Sequence, residues 1–522
     1  MVDIIIHRHM NIGTGAAESE DYLTESFYET DEYKKLLDFE NKQTILLGRT
    51  GSGKTALIKM LHANKNISSI EINPDNFVIQ YIRNNSFIQE MKSLDINLSV
   101  YYKFLWLHEI ISGIIKHMFP DNESASFWGI IFGDLNQNKN IDELKKYLQN
   151  NDGIFFKPAT MENIVNGLDC FIKTKLGNKN IAEISTGIGS EQKRTIQSQI
   201  SMQLNNEHIR NLINTLCVLQ EYFGTNTRKK IVVTIDDLDK DWANEDCKYD
   251  LLNALQESIL MFKGTPNIKI VISLRSDMLA KTIEVTEKQP DKSLALTIKL
   301  HWTREMLSLL VDKKLEYVYK YQYKSQTPVT FKTMFACKVG DMPGNRYIME
   351  KIFLRPRDII SFVNFVLTAA SVDGARVEAR HIIEAESKYR TYLIDALKYE
   401  WKSLFPNIDI YLKSVRELFN DAFSFSEIFS KYEMIQNTLL DAENIENDKL
   451  VQAFLSCNKD SCRVKNIQNL LNALFTSGIL GKIEVNNIIY SDNDSPKLGM
   501  FDFDDCKFQI HPIFRKMDLN HK

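Results

Sequence analysis

The sequence predicts an α/β fold, a parallel sheet with helices on both faces, carrying a large helical insertion and followed by helical and mixed segments. Three observations carry that expectation. The stretch "ILLGRTGSGKTALIKM" (45–60) places Gly48-x4-Gly53-Lys54-Thr55 between an apolar strand, Ile45-Leu46-Leu47, and a helix start, the context of a complete phosphate-binding P-loop. "KKIVVTIDDLDKDW" (229–242) is a β-branched run that ends in acids. "NIKIVISLRSD" (267–277) and "LALTIKLHW" (294–302) add two more apolar runs, with the helical pattern "DLLNALQESILMF" (250–262) before them. Buried strands alternating with helices indicate a parallel sheet, whose ligands sit at the carboxyl ends of the strands.

In chain order, residues 1–40 read as a lead-in, with a mixed polar helical segment over 22–37. "SSIEINPDN" (68–76) reads as a strand running into a turn. A mainly helical insertion is expected over about 78–225. Within it, "YYKFLWLHEIISGIIKHM" (101–118) has a core face at helical spacing, "QNKNIDELKKYLQNNDG" (137–153) reads as surface, and 182–204 stays open between loop, hairpin and helix. The expected domains are a P-loop core over 1–302, a helical lid over 303–403 and a C-terminal helical and winged-helix-like domain over 404–522. Lid helices are expected over 303–321, 356–370 and 377–401. For the end of the chain the pattern is a helix, a glycine stop and a strand over 467–485, then a strand and turn, a strand and a short helix over 491–517.

The candidate phosphate-binding residues are Gly48, Arg49, Thr50, Gly51, Ser52, Gly53, Lys54, Thr55 and Ala56. Glycines let the backbone N–H groups turn towards an anion, and the following helix adds its positive end. Lys54 is expected on the β- and γ-phosphates and Thr55 on Mg²⁺, with Asp236 as the second metal-binding oxygen. Asp237 is the candidate carboxylate that orients a water, and Asp239 reads rather as a cap of the Asp-rich turn. Arg275, just past its strand, has the reach to sense a γ-phosphate or to pair with Asp277. Arg355 and Arg357 flank Pro356 in "LRPRDII"; Arg357 is the better candidate for a lid arginine, against a capping and packing role. No strand is followed by a guanine-reading Asn/Thr-Lys-x-Asp turn, which favours ATP over GTP.

The chain has 522 residues, 44% hydrophobic and 25% charged, with a net charge of −4. That gives no global attraction to nucleic acid. The seven scattered cysteines suggest neither a disulfide framework nor a zinc site, so a reducing, cytoplasmic compartment is expected. No segment approaches the roughly 20 apolar residues of a membrane span.

Together, "GRTGSGKTA", "VVTIDDLDKDW", "ISLRSD" and "RPRDII" resemble a bacterial P-loop ATPase family close to the KAP and STAND NTPases, within the wider AAA-like and origin-recognition-like group. The resemblance spans roughly 20–375 and extends loosely to the C-terminus. It implies an ATP-dependent switch, often oligomeric, frequently encoded in prokaryotic defence or regulatory loci. The "IDDLD" turn is similar to that group's Walker B, Arg275 to its sensor 1 arginine and the "RPRD" helix start to a sensor 2 arginine. About 180 residues separate Thr55 from Asp236, a departure that requires the insertion. No nuclease, protease or TIR-like motif is visible, so an effector is expected on another chain. A DNA-binding loader is the alternative. Against it, residues 450–522 carry nine Lys/Arg and eight Asp/Glu, with Asp492, Asp494, Asp502, Asp504 and Asp505 around the hairpin, whereas a wing that grips phosphates should be basic. Lys193 and Arg194 in the insertion leave DNA open. A kinase is the third reading, and no kinase catalytic-loop motif supports it. Arg228 and Arg346 are candidate arginine fingers for a neighbouring subunit.

Overall fold

The computed structural model describes residues 4–75, 98–119, 135–151, 207–225, 230–240, 242–243, 245–286, 294–325, 327–373, 376–457, 459–485, 487–491 and 497–516. The chain forms two compact units. One, the sheet unit, comprises Glu29–Arg49 and Lys54–Lys299; the other, the helical unit, comprises Met1–Tyr28, Thr50–Gly53 and Leu300–Lys522.

The sheet unit begins with α1 (Asp31–Leu37), β1 (Ile45–Leu47), α2 (Lys54–Ala63) and β2 (Ser68–Glu71). Among the described residues of the insertion, three helices follow, α3 (Ser99–Met118), α4 (Leu135–Asn151) and α5 (Glu207–Thr225). β3 (Ile231–Ile235), α6 (Glu245–Met261), β4 (Ile268–Leu274), α7 (Ser276–Thr286) and β5 (Thr297–Lys299) complete it. The five strands are all parallel, in the order β2-β3-β4-β1-β5. This is the expected α/β P-loop NTPase sheet with flanking helices. Its register pairs Ile235 with Ile272 and Leu47 with Leu274. Every residue of β1, β3 and β4 is buried. Ile231, Val233 and Ile235 join one apolar cluster with α3, α5 and α6, while the alternate Val232, Leu46 and Val271 are also fully buried. Both faces are therefore covered, which explains the unbroken apolar runs in the sequence. Lys269 sits within β4 at 3% exposure because its ammonium donates to the carbonyls of Lys35 (2.8 Å) and Asp38 (2.6 Å). Burial lowers its pKa to about 8 against the pull of Asp38. α6 lies against α3, where the Trp106 indole donates to the Leu251 carbonyl (3.0 Å) and the Ser258 hydroxyl to that of Lys103 (2.8 Å).

In the helical unit, α8 (Arg304–Tyr317) starts from a Thr303 cap and runs into a π-turn over Val318–Gln322. α9 (Phe331–Met334), a small hairpin β6 (Lys338–Val339) and β7 (Met342–Pro343), α10 (Gly344–Lys351), α11 (Pro356–Asp373) and α12 (Ala379–Trp401) follow. Then come α13 (Ile408–Arg416), α14 (Phe425–Phe429), α15 (Tyr432–Leu439), α16 (Lys449–Leu455) and α17 (Asp460–Thr476). β8 (Leu480–Glu484), β9 (Asn487–Tyr490), a short α18 (Asp502–Asp505) and β10 (Lys507–Ile510) end the described chain as an antiparallel sheet in the order β10-β8-β9. Gly478 (φ +83°) stops α17 in the left-handed conformation, as a glycine just past a helix does. One apolar core runs from Ile6 and Ile12 through α8, α11 and α12 to Phe514.

Four sequence expectations need correction. The helical segment expected over 22–37 is helical only from Asp31, where the Thr30 hydroxyl accepts from the Tyr33 amide and starts a new helix. The polar helix α4 is not all surface, since Leu144 and Tyr147 are buried and the Tyr147 hydroxyl meets His108 Nδ1 at 2.5 Å. The short helix expected at the end lies instead before β10, as α18; past β10, Pro512 follows His511 and the chain turns. Cys457 and Cys462 form a disulfide, Cα atoms 6.0 Å apart, as the first turn of α17 folds back towards the end of α16. Residues 182–204, with Lys193 and Arg194, and Arg228 lie outside the described residues. No described helix is long and apolar enough to cross a membrane.

Candidate nucleotide-phosphate site

Parallel pairing of β1, β3 and β4 brings three chain turns to one carboxyl edge. The loop leaves β1 at Gly48, whose amide donates to the Leu274 carbonyl (3.3 Å) at the end of β4. α2 opens with Lys54, Thr55 and Ala56. The Lys54 ammonium donates to the carbonyls of Gly48 (3.0 Å) and Arg49 (3.2 Å). Because Ile235 pairs with Ile272, the next residues along, Asp236 and Ser273, are also neighbours. The Ser273 hydroxyl donates to Asp236 Oδ1, which fixes the carboxylate at the sheet edge.

Asp237 holds φ +60°, the left-handed region that side chains other than Asn and Asp rarely occupy. Its carboxylate lies 2.6 Å from the Lys240 ammonium. Burial raises its pKa, Lys240 pulls it down, and Asp236 pushes it up again, leaving it above the usual range. The turn is braced from beneath by Lys248, 5% exposed, which donates to the carbonyls of Asp239 (3.2 Å) and Lys240 (2.8 Å). Asp239 Oδ2 lies 3.9 Å from Arg275 Nη1. Arg275 itself forms a two-pronged pair with Asp277, Nε to Oδ1 at 3.0 Å and Nη2 to Oδ2 at 2.9 Å. That fork is the pairing with Asp277 that the sequence offered beside a phosphate role.

The tip of the loop, Thr50–Gly53, belongs to the helical unit. Gly51 (φ +77°) and Gly53 (φ +95°) are left-handed, and a Cβ on Gly51 would lie 2.9 Å from the Cβ of Arg357. The Arg357 side chain passes over the tip and its Nε donates to the Gly15 carbonyl (3.2 Å). Arg355 is buried, 8% exposed, and paired with Glu400 at 3.1 Å. Arg346 is exposed and lies 3.4 Å from Glu350. Ser273, Lys248 and Trp302 were not singled out from the sequence. Each acts across elements, so no local motif marks it.

The loop fits a nucleotide polyphosphate by its own chemistry. Two left-handed glycines open its backbone, the ten-residue α2 begins directly after it, and the Thr50 and Ser52 hydroxyls are buried without a hydrogen-bond partner. A Thr55 hydroxyl and an Asp236 carboxylate are the hard oxygen donors that suit Mg²⁺. Among the described residues one other group has metal-ligand chemistry, Glu484, Asp502 and Cys506. There the Lys482 ammonium already supplies the cation, 2.7 Å from Glu484 and 3.1 Å from Asp502.

Comparison with known proteins adds three findings. The curated proteins yield no match. Among solved structures, a Walker-type ATPase of Pyrococcus abyssi is similar at 12% identity and a TM-score of 0.39, over 93% of this chain and 97% of that one. Cdc6p of Pyrobaculum aerophilum is similar at 11% identity and a TM-score of 0.29, over 90% and 93%. Residues 305–398, which run from α8 into α12, match the family of FunZ-associated C-terminal helical domains.

Proposed function

We propose that the chain is a Mg²⁺-dependent ATPase that works as a molecular switch. The observation that carries this reading is the meeting, at one sheet edge, of the P-loop start, the Ser273-held Asp236 and the left-handed Asp237. Lys54 exchanges the carbonyls of Gly48 and Arg49 for phosphate oxygens and neutralises their charge. Asp237 accepts a hydrogen bond from a water and aims it, its raised pKa suiting a group that must take up a proton. Bound Mg²⁺, held through Thr55 and Asp236, would draw phosphate charge away from the leaving oxygen. A phosphate role for Arg275 requires its fork with Asp277 to open.

The switch reading rests on the KAP- and STAND-like order of the four motifs and on the loop tip being built into the helical unit. Residues 303–403 act as the lid, with Arg357 as its arginine, and 404–522 as a winged-helix-like module that reports to a partner. We further propose a homo-oligomer with a separate effector protein, in the cytoplasm, serving antiviral defence; the motif resemblance supports these finer points.

The test is ATP turnover by the full chain, with Mg²⁺, with the metal chelated, and with single- or double-stranded DNA added. Slow turnover that needs Mg²⁺ and ignores DNA is expected. Strong stimulation by DNA would replace the protein-partner switch with a DNA-loading ATPase, and no turnover under any condition would contradict the enzyme reading.

A further inference from the structure

Three consecutive carbonyls of the loop tip accept hydrogen bonds from the rest of the helical unit. Arg355 Nη1 donates to the Thr50 oxygen (3.0 Å). The Arg357 amide donates to Gly51 (3.3 Å) and the Trp302 indole N–H to Ser52 (2.8 Å). A trans peptide is planar, with its C=O and the next N–H pointing opposite ways. Pulling the carbonyls of 50, 51 and 52 to one side therefore turns the amides of 51, 52 and 53 to the other, the arrangement of a nest that receives an anion.

The donors are themselves held. Arg355 Nη1 also donates to Glu400 Oε2 (3.1 Å), and its Nε is 3.9 Å from Asp358 Oδ2. The guanidinium lies over the Phe353 ring, 5.1 Å from its centroid. Asp358, 3% exposed, accepts from the Tyr389 hydroxyl (3.0 Å), and Tyr389 stacks on Phe362 at 4.9 Å. Trp302 is 9% exposed and packs near Tyr28.

We propose that Arg355 and Trp302 are positioning residues that preset the phosphate nest from behind, through main-chain carbonyls, without touching the nucleotide. This gives Arg355, which the sequence offered as a phosphate-sensing arginine, a different task. The proposal rests on the nucleotide reading above.

Arg355→Ala would strand two buried acids and is a poor probe. Trp302→Phe keeps the ring and removes one donor; Arg355→Lys keeps the charge and loses the fork. Affinities of wild type and both variants are measured for ATP and for pyrophosphate, each with Mg²⁺, beside melting temperature without ligand. For Trp302→Phe, both affinities should fall by the same factor, about tenfold, the scale of one hydrogen bond, with melting unchanged. Arg355→Lys should do the same to both ligands at a lower melting temperature. A residue that only stabilises the fold would change melting and leave the affinities alone. Wild-type affinity in both variants overturns the proposal while leaving the ATPase reading intact; a wild type that binds neither ligand overturns both.

Discussion

Asp237 is the residue proposed to aim the attacking water, and its backbone decides how it can be probed. With φ +60°, Asn fits where Ala would add strain. Asp237→Asn is therefore expected to fold and bind ATP as wild type does, while turnover falls by about a hundredfold or more, the usual range for losing a general base. Normal turnover in that variant, measured by phosphate release, would reduce Asp237 to a turn residue paired with Lys240. The sequence made the phosphate loop and the acids legible because their chemistry lies in contiguous residues: glycines at fixed spacing, then an acid at a strand end. It could not show Ser273 under Asp236 or Lys248 under the turn. Those contacts depend on strand register and on a helix nine residues further on.

At the scale of elements, β1, β3 and β4 were readable because burial on both faces leaves apolar runs. The short α1 was misread at its start because Thr30 caps the helix midway through a stretch of mixed polar and apolar residues that carries no break in its pattern. The end of the chain was harder, since its order is set by packing of β10 and the following turn. His511 shows what that packing does. Its amide donates to the Ile479 carbonyl (2.8 Å), and its ring lies 4.8 Å from Tyr490 and 4.9 Å from Phe353. Burial lowers its pKa from 6.5 to about 3, with Arg515, Lys351 and Arg304 adding to the effect and a backbone bond at Ile352 opposing it. A histidine kept neutral in the fold and free to charge when unfolded stabilises fully above pH 6.5. That contribution is lost as pH falls towards 3. At pH 5 the loss is about 2 kcal/mol from this ring alone, at about 1.4 kcal/mol per pH unit. Denaturant unfolding of His511→Gln should lack this part of the acid limb between pH 6.5 and 5; the same loss in wild type and variant would refute it.

Across the whole molecule, the P-loop is one chain segment whose parts are set in different units. Gly48, Arg49, Lys54 and Thr55 belong to the sheet unit, and Thr50–Gly53 to the helical unit. The sequence showed the loop as a single motif and could not show this division, because the donors to the tip, Trp302, Arg355 and Arg357, lie some 250 to 300 residues away. The proposed switch reading builds on this division. All of it depends on the loop holding a nucleotide's phosphates. The most direct test is calorimetric titration of ATP with Mg²⁺ into wild type and Lys54→Ala. The account expects one site per chain in wild type, weakened at least about tenfold in the variant, as befits a lost charge-assisted contact. Equal affinity in the two proteins, or no binding by wild type, would contradict it.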